Sequence, residues 1–506
     1  MTIPIILSYG FGVESTAILL RWLFEPETRY FIKRDQKQGS KRAKRAKREH
    51  FSLSDLTVIS SQTGDEHRDT QEAVETCIFP LLREHGIRFV EVARAGEHEA
   101  DGIVVFQDTR EPHIFHREGA YKLSDHLKLA GTVPQFGGEH RCAMHYKAFV
   151  IEHWLKYYLG RNDVCHVFGY NAGEGGRVER SESGIAARNE QVRVAFGYNR
   201  DEQSRADKSD AAYAKRNRGS HEVRVAFGFN ADEGGRADRA TELDRQERRV
   251  AFGYNREEVA RATRTATHDT IARVGFYPLI DWGWSREDCE AYIIERLGVP
   301  FRKSACVFCP FNKEASKSTP IGIERLRAHP EQTADALLVE YTSLCLNPRG
   351  ALFNTKTLHT IVLNSEQLEA LAAFEETLSR IEYGLYEVKR IYSGPGTAAR
   401  SAIQIAKGTR HQMSTEFEQY VGKLKLKRHS ERGVNYGYFA ERGEGYPAIE
   451  GFLVVAPATV GTKVRGQFPV FEERFLQAAR KLGIKFSLTP GTALVQSPLF
   501  FSSLAA

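Results

Sequence analysis

Short apolar runs alternate with amphipathic stretches along the front of the chain. Ile3–Ser8, Leu56–Ser60, Ile87–Val92 and Val164–Gly169 are apolar runs of strand length. Between and after them, Glu14–Phe24, Glu66–His85, Tyr146–Tyr158 and Arg286–Leu297 carry apolar residues at helical spacing. Strands alternating with helices predict an α/β fold, a doubly wound and mostly parallel sheet, over residues 1–318. Asp65 and Ser285 are placed to cap two of these helices. After Pro310 the pattern turns helical, at Ile321–His329, Thr333–Leu344 and Ser365–Tyr383, which predicts a helical extension over 319–405. Beyond it, 412–506 reads as a small α/β or α+β region. Phe452–Val455, Gln467–Val470 and Ile484–Leu488 are its strands there, and Phe471–Leu482 its helix.

The first strand runs into a turn, Ser8-Tyr9-Gly10-Phe11-Gly12-Val13-Glu14-Ser15-Thr16, which opens directly into the first helix. Two glycines let the backbone bend and approach a ligand with no Cβ in the way. Amides at a helix N-terminus attract an anion, and Ser15 and Thr16 can cap the helix or donate hydroxyls to phosphate oxygens. An ordinary strand–turn–helix connection is the plainer reading of the same residues. Thr63 to Thr70 starts at the end of the second strand, so both segments can face one crevice at the carboxyl edge of the sheet.

Composition narrows the class. The chain has 506 residues, enough for two or three domains. No apolar run approaches the ~20 residues of a bilayer span. Ile3–Leu7 is too short an apolar stretch for a secretory signal. Seven cysteines, an odd and low count, speak against a disulfide framework. A cytoplasmic protein without a membrane partner is the expectation. The net charge is only +6, but it is unevenly placed. Residues 33–48 form a basic run with no apolar face, read as a solvated insertion. Such a run is either a solubilising loop or a grip on nucleic acid phosphates. The pattern Phe-Gly-aromatic-Asn-x-x-Glu-x-x-Arg occurs four times, beginning at Phe168, Phe196, Phe227 and Phe252. The insertion it builds covers about 171–250, its middle copies either an extended sheet edge or a mobile insertion, and a duplicated segment with no chemistry of its own competes with several functional sites. Cys306 and Cys309 form a Cys-x-x-Cys pair. With Cys142 and a fourth ligand, best supplied by Cys345, they can hold a [4Fe–4S] cluster or zinc. Cys289, Cys165 and His145 stand behind Cys345 as alternatives. The pair can equally be a redox dithiol or two buried small residues.

Four ordered segments resemble the phosphoadenosine phosphosulfate reductase-like branch of the adenine nucleotide alpha-hydrolase superfamily. They are the turn with Ser8, Gly10, Gly12, Ser15 and Thr16; the Thr63-Gly64-Asp65-Glu66 element; Arg141-Cys142 with Lys147; and Tyr277-Pro278-Leu279 with Trp282. Glu14 stands near the aspartate of the family's shorter loop form. The turn is no Walker A motif, since no Gly-Lys-Ser/Thr follows. The resemblance implies a phosphate cradle at Ser8, Gly10, Gly12, Ser15 and Thr16, which binds ATP or a related adenine nucleotide with Mg²⁺ and cleaves it at the α-phosphate. It implies that Asp65 or Glu66 holds Mg²⁺ or a ribose hydroxyl, and that Arg141 and Lys147 neutralise phosphate or sulfate oxygens. Asp65 is alternatively a plain helix cap, and Arg141 and Lys147 a solvated helix start. The substrate's anionic end would meet Asn171, Glu174 and Arg177, or Asn255, Glu258 and Arg261, and the sequence does not choose between these copies. An iron–sulfur cluster suits the family better than zinc. The function implied is an ATP pyrophosphatase that supports sulfur transfer to DNA or tRNA, with a sulfur donor protein as partner. A sulfonucleotide reductase would need a cysteine on a C-terminal tail, and the last cysteine here is Cys345. A non-enzymatic nucleotide sensor or scaffold in a defence-type assembly is the third reading.

Overall fold

A computed structural model describes residues 4–33, 47–117, 119–134, 141–159, 164–167, 169, 273–276, 278–353, 356–394, 398–461 and 468–482. Eight strands belong to its front part. They are β1 (Ile5–Ser8), β2 (Tyr30–Lys33), β3 (Lys47–His50), β4 (Leu56–Gln62), β5 (Arg88–Arg94), β6 (Ile103–Thr109), β7 (Val164–Val167) and β8 (Arg273–Phe276). Six of them form one sheet in the order β6-β5-β4-β1-β7-β8. Every neighbouring pair is parallel except β5 and β6. Ile5, Ile6 and Leu7 have no solvent exposure. A central parallel strand is covered on both faces and therefore reads as an unbroken apolar run.

The helices of this front part are α1 (Val13–Phe24), α2 (Arg68–Ala73), α3 (Phe79–Glu84), α4 (Leu123–Ala130), α5 (Arg141–Ala143) and α6 (Phe149–Tyr157), followed later in the chain by the helix Arg286–Leu297. Side-chain alternation along the strands separates two packing layers. Ile5, Leu7, Val58 and Phe89 pack with Leu19 and Trp22 of α1, Phe79 of α3 and Ile293 of the helix Arg286–Leu297. Ile6, Ile59, Val90 and Val92 pack with Val150 and Trp154 of α6. Two helices contain a π-helical turn. Val74–Ile78 joins α2 to α3, and Met144–Ala148 joins α5 to α6. Such wide turns frequently sit at functional sites.

The basic run is framed by β2 and β3, which pair as an antiparallel ribbon, and residues 34–46 between them lie outside the described residues. Helices Pro320–Arg327, Pro330–Leu346, Leu358–Asn364 and Leu368–Arg380 share one apolar cluster, built on residues such as Leu337, Leu358 and Phe374. A second, antiparallel sheet follows, in the order β10-β9-β13-β12-β11. It consists of β9 (Tyr383–Tyr392), β10 (Ala398–Gly408), β11 (Lys427–Glu431), β12 (Val434–Ala440) and β13 (Ala448–Pro457). One face buries Leu385 and Leu453 against Met413 and Phe417 of the helix Arg410–Lys423. The other buries Tyr386, Val388 and Phe452 against Leu344 and Leu346.

This corrects the expected boundaries, because β9 and most of β10 fall inside the span 319–405 read as a helical extension. The cause is buried charge. In β9 Glu387, Lys389 and Arg390 are all buried, with Lys389 bridging Glu387 and Glu472 and Arg390 paired to Glu450. Those charges hide the strand's apolar pattern. The expected strand Gln467–Val470 is also corrected, since the helix Phe468–Lys481 begins there with Pro469 in its first turn. Ile484–Leu488 lies outside the described residues. No helix among the described residues is long and apolar enough to cross a membrane.

Candidate functional site

The glycine turn sits at the carboxyl end of β1, between β4 and β7. Tyr9 N–H donates to the Ile59 carbonyl, which carries the pairing with β4 one residue past the strand. Phe11 adopts a left-handed conformation, φ 56°, unusual for an aromatic residue. Its ring is buried against Tyr9 and Phe115, with centroids 5.0 and 4.5 Å away. Gly12 is the N-cap of α1 and makes no side-chain cap hydrogen bond. Gly10 is exposed, and a Cβ there would point into open space. Gly169, just past β7, lies so close that a Cβ on it would come within 3.0 Å of the Ser15 nitrogen. The strand neighbouring β1 is β7, which ends one residue before the first repeat copy begins at Phe168. Asn171, Glu174, Arg177, Asn255, Glu258 and Arg261 lie outside the described residues.

Hydroxyls of the turn are mostly engaged within the protein. The Ser8 hydroxyl shares a 2.6 Å hydrogen bond with His166 Nε2 on β7. Ser15 Oγ donates to the Gly12 carbonyl at 3.2 Å. Thr16, expected in the cradle, is fully buried and bonded to the Tyr9 hydroxyl at 3.1 Å. Thr16 thus anchors the turn from beneath. Glu14 points to Arg286, at 3.1 Å, and ties α1 to the helix Arg286–Leu297.

The second segment, Thr63 to Thr70, is stitched to the Cys306 region. Val307 N–H donates to the Asp65 carbonyl, and His67 N–H to that of Ala305. Gly64, at φ 83°, makes the bend between these contacts. Thr63 Oγ1 lies 3.2 Å from Cys306 Sγ. Asp65 Oδ2 accepts from Ser124 N–H at 2.8 Å, so it caps α4 rather than the helix that follows it in sequence. Ser285 does cap its own helix, through a capping box with Asp288. Burial pushes the Asp65 carboxyl up to about 6, against the opposing pull of Ser124, Lys122 and Lys128. The far end of α4 is held by Arg400 of β10, whose guanidinium donates to the Ala130 and Gly131 carbonyls. One short helix thus runs from the Asp65 carboxylate to the second sheet.

Lys147, on the π-helical turn after α5, reaches Glu66 Oε1 at 3.6 Å. Glu66 is almost fully buried, and its Oε2 has no partner among the described residues. Burial works against the Lys147 charge, but Glu66 together with Cys306, Cys309 and Cys142 outweighs it and raises the pKa. These three cysteines are the set that the fold brings around Lys147. Burial pushes the Cys306 and Cys309 thiols up, with Glu66 and Asp65 adding to the effect on Cys306. The Arg141 side chain lies outside the described residues.

Cys345 does not join them, which corrects the four-cysteine set. It is buried among Leu344, Tyr386 and Tyr436, where the helix Pro330–Leu346 meets the second sheet. Apolar packing explains its place, as for a small core residue. Among the described residues, no group of three or more His, Cys, Asp or Glu is arranged to hold a metal ion.

Two charged assemblies carried no sequence signal. Arg325 is buried and donates through Nε and Nη2 to Asp69 Oδ1, and through Nη1 to the Lys303 carbonyl. Asp69, Arg325, Arg302 and His329 line a cleft of about 340 Å³ together with Phe11. The other assembly is a buried Glu91 with His116, joined by residues far apart in sequence. Comparison with protein-family models, curated proteins and solved structures finds no match to this chain.

Proposed function

We infer that this chain binds ATP or a related adenine nucleotide at the glycine turn and cleaves it at the α-phosphate. The observation that carries this reading is the turn itself. It lies at the carboxyl edge of a parallel sheet, opens into a helix whose N-cap uses no side chain, and exposes Gly10 to open space. A helix N-terminus with free amides favours a phosphate through both hydrogen bonds and dipole. The strand order and the helices on either side of the sheet agree with a doubly wound nucleotide-binding fold.

In this reading the turn's amides meet charge that develops on the phosphate oxygens, the largest contribution in most phosphoryl transfers. Lys147 adds a fixed cation. Asp65 or Glu66 offers carboxylate oxygens to Mg²⁺ or a ribose hydroxyl, and Oε2 of Glu66 has no partner among the described residues. Mg²⁺ would supply charge neutralisation at the phosphates. The three thiols beside Lys147 favour sulfur transfer as the purpose of the activation, with nucleic acid as the acceptor that the basic run 33–48 would engage. Calorimetric titration with ATP·Mg²⁺ tests the reading. Wild type binds, and Gly10→Val and Gly12→Val lose affinity by more than tenfold. Equal binding by all three, or none by wild type, refutes it.

A further inference from the structure

Glu91, on β5, has no solvent exposure, yet it sits in no ion-pair network of the ordinary surface kind. Its Oε1 accepts from Gln62 Nε2 at 2.5 Å and from the His116 backbone N–H at 3.1 Å. Its Oε2 accepts from Gln107 Nε2 at 2.6 Å and meets His116 Nδ1 at 2.7 Å. Four contacts use the full acceptor capacity of a carboxylate. The carboxylate therefore cannot rotate, and it fixes the imidazole by one nitrogen. Stacking on Phe106, at 5.3 Å and 18° between planes, fixes the ring plane. His116 is about one-third exposed, and its other nitrogen, Nε2, makes no hydrogen bond among the described residues. A ring oriented through Nδ1 by a buried carboxylate, with Nε2 open, is the arrangement of a general base.

Its position is also informative. Gln62 ends β4 and is followed directly by Thr63 of the candidate site. Phe115, the residue before His116, packs its ring on Phe11 of the glycine turn. His116 therefore lies at the same carboxyl edge of the sheet as the turn. Tethering the loop to β5 would need only the His116 backbone contact. The imidazole contact adds a second hydrogen bond that ring orientation alone requires.

We propose that His116, positioned by Glu91, is the proton acceptor for the oxygen nucleophile that attacks the α-phosphate. This rests on the nucleotide reading above. With water as nucleophile, its oxygen bonds to the α-phosphorus while its proton passes to His116 Nε2. The bond from the α-phosphorus to the bridging oxygen breaks, and pyrophosphate leaves with the electron pair. The charged and titratable groups that face His116 are Glu91 on β5 and Glu75 on the π-helical turn, with the neutral Gln107 on β6. The Glu91 hydrogen bond outweighs burial and, with the charges of Glu91 and Glu75, raises the imidazole pKa. A base must be deprotonated, so pyrophosphate release rises with pH through that value.

The test compares wild type, His116→Gln and Glu91→Gln with ATP·Mg²⁺ as substrate and water as acceptor. Glutamine at 116 keeps a donor for Glu91 but cannot titrate. His116→Gln is expected to bind ATP within about twofold of wild type and to release pyrophosphate roughly a hundredfold more slowly. Glu91→Gln is expected to move the rising limb of the rate profile, and the imidazole titration followed by NMR, to lower pH. Wild-type rates in His116→Gln, or an unmoved limb in a folded Glu91→Gln, overturn the proposal and leave nucleotide binding standing. A wild-type protein that does not bind ATP overturns both.

Discussion

Asp65 is a buried carboxylate that the fold keeps at a cost, and replacing it with asparagine measures that cost. Its carboxyl titrates at about 6, against an ordinary value of 3.8, because burial outweighs the Ser124 hydrogen bond and the nearby Lys122 and Lys128. A folded value above the unfolded one means that its contribution to stability is intact below the unfolded value and is lost as pH rises through about 6. About two pKa units correspond to about 3 kcal/mol once the group is fully ionised, and to roughly half of that near pH 5. Asp65→Asn keeps an oxygen for Ser124 N–H and carries no charge to bury. The variant is expected to exceed wild type by about 3 kcal/mol near pH 8, with an advantage about 1.4 kcal/mol smaller near pH 5. Native-state hydrogen exchange at the α4 amides reads this locally, without requiring the whole chain to unfold in one step. A variant equally destabilised at both pH values would mean that Asp65 is simply a good cap, and the reasoning would fall. Stability gained together with lost nucleotide turnover would mark the residue as retained for function.

Three further outcomes follow from particular contacts. Gly169→Ala places a Cβ 3.0 Å from the Ser15 nitrogen, so the first turn of α1 must shift. ATP affinity measured by calorimetry falls about tenfold, whereas Gly422→Ala, where a Cβ meets nothing within 4 Å, leaves it unchanged. Arg325→Met strips Asp69 and the Lys303 carbonyl of their donors. Its cost is about 3 kcal/mol in chemical denaturation, the low end for a broken buried pair, because Arg302 stays 3.9 Å from Asp69. Cys345→Ala removes a packed thiol and no metal ligand. It lowers the melting temperature by a few degrees at most and leaves any iron or zinc content of the purified protein unchanged, whereas lost metal would restore the four-cysteine set.

Much of the front sheet was legible because parallel strands announce themselves. β1, β4, β5 and β7 occupy the expected segments, each an apolar run that ends at a glycine, threonine or polar turn. The antiparallel edge strand β6 was not seen, since its residues are half-buried and mixed in character. β9 was masked by three buried charged side chains: Lys389 pairs with Glu387 on β9 itself and with Glu472 on the last helix, and Arg390 pairs with Glu450 on β13. In the site, local chemistry was readable and long-range pairing was not. The glycine turn and Thr63 to Glu66 could be named from their own residues. The partners Ser8–His166, Asp69–Arg325 and Glu91–His116 join residues that only the folded sheet brings together, and no spacing rule links them. Cys345 packs away from the other three cysteines for the same reason: counting cysteines gives no information about which wall of the core each will occupy.

The claim at the centre of this account is that the chain breaks ATP at the α-phosphate. Incubating the purified protein with ATP labelled at the α-phosphate, with Mg²⁺, and separating the products tests it most directly. The account predicts labelled AMP, or a labelled adenylate on an acceptor, together with one pyrophosphate per turnover. Labelled ADP with inorganic phosphate, or ATP left intact under conditions where it binds, would contradict it.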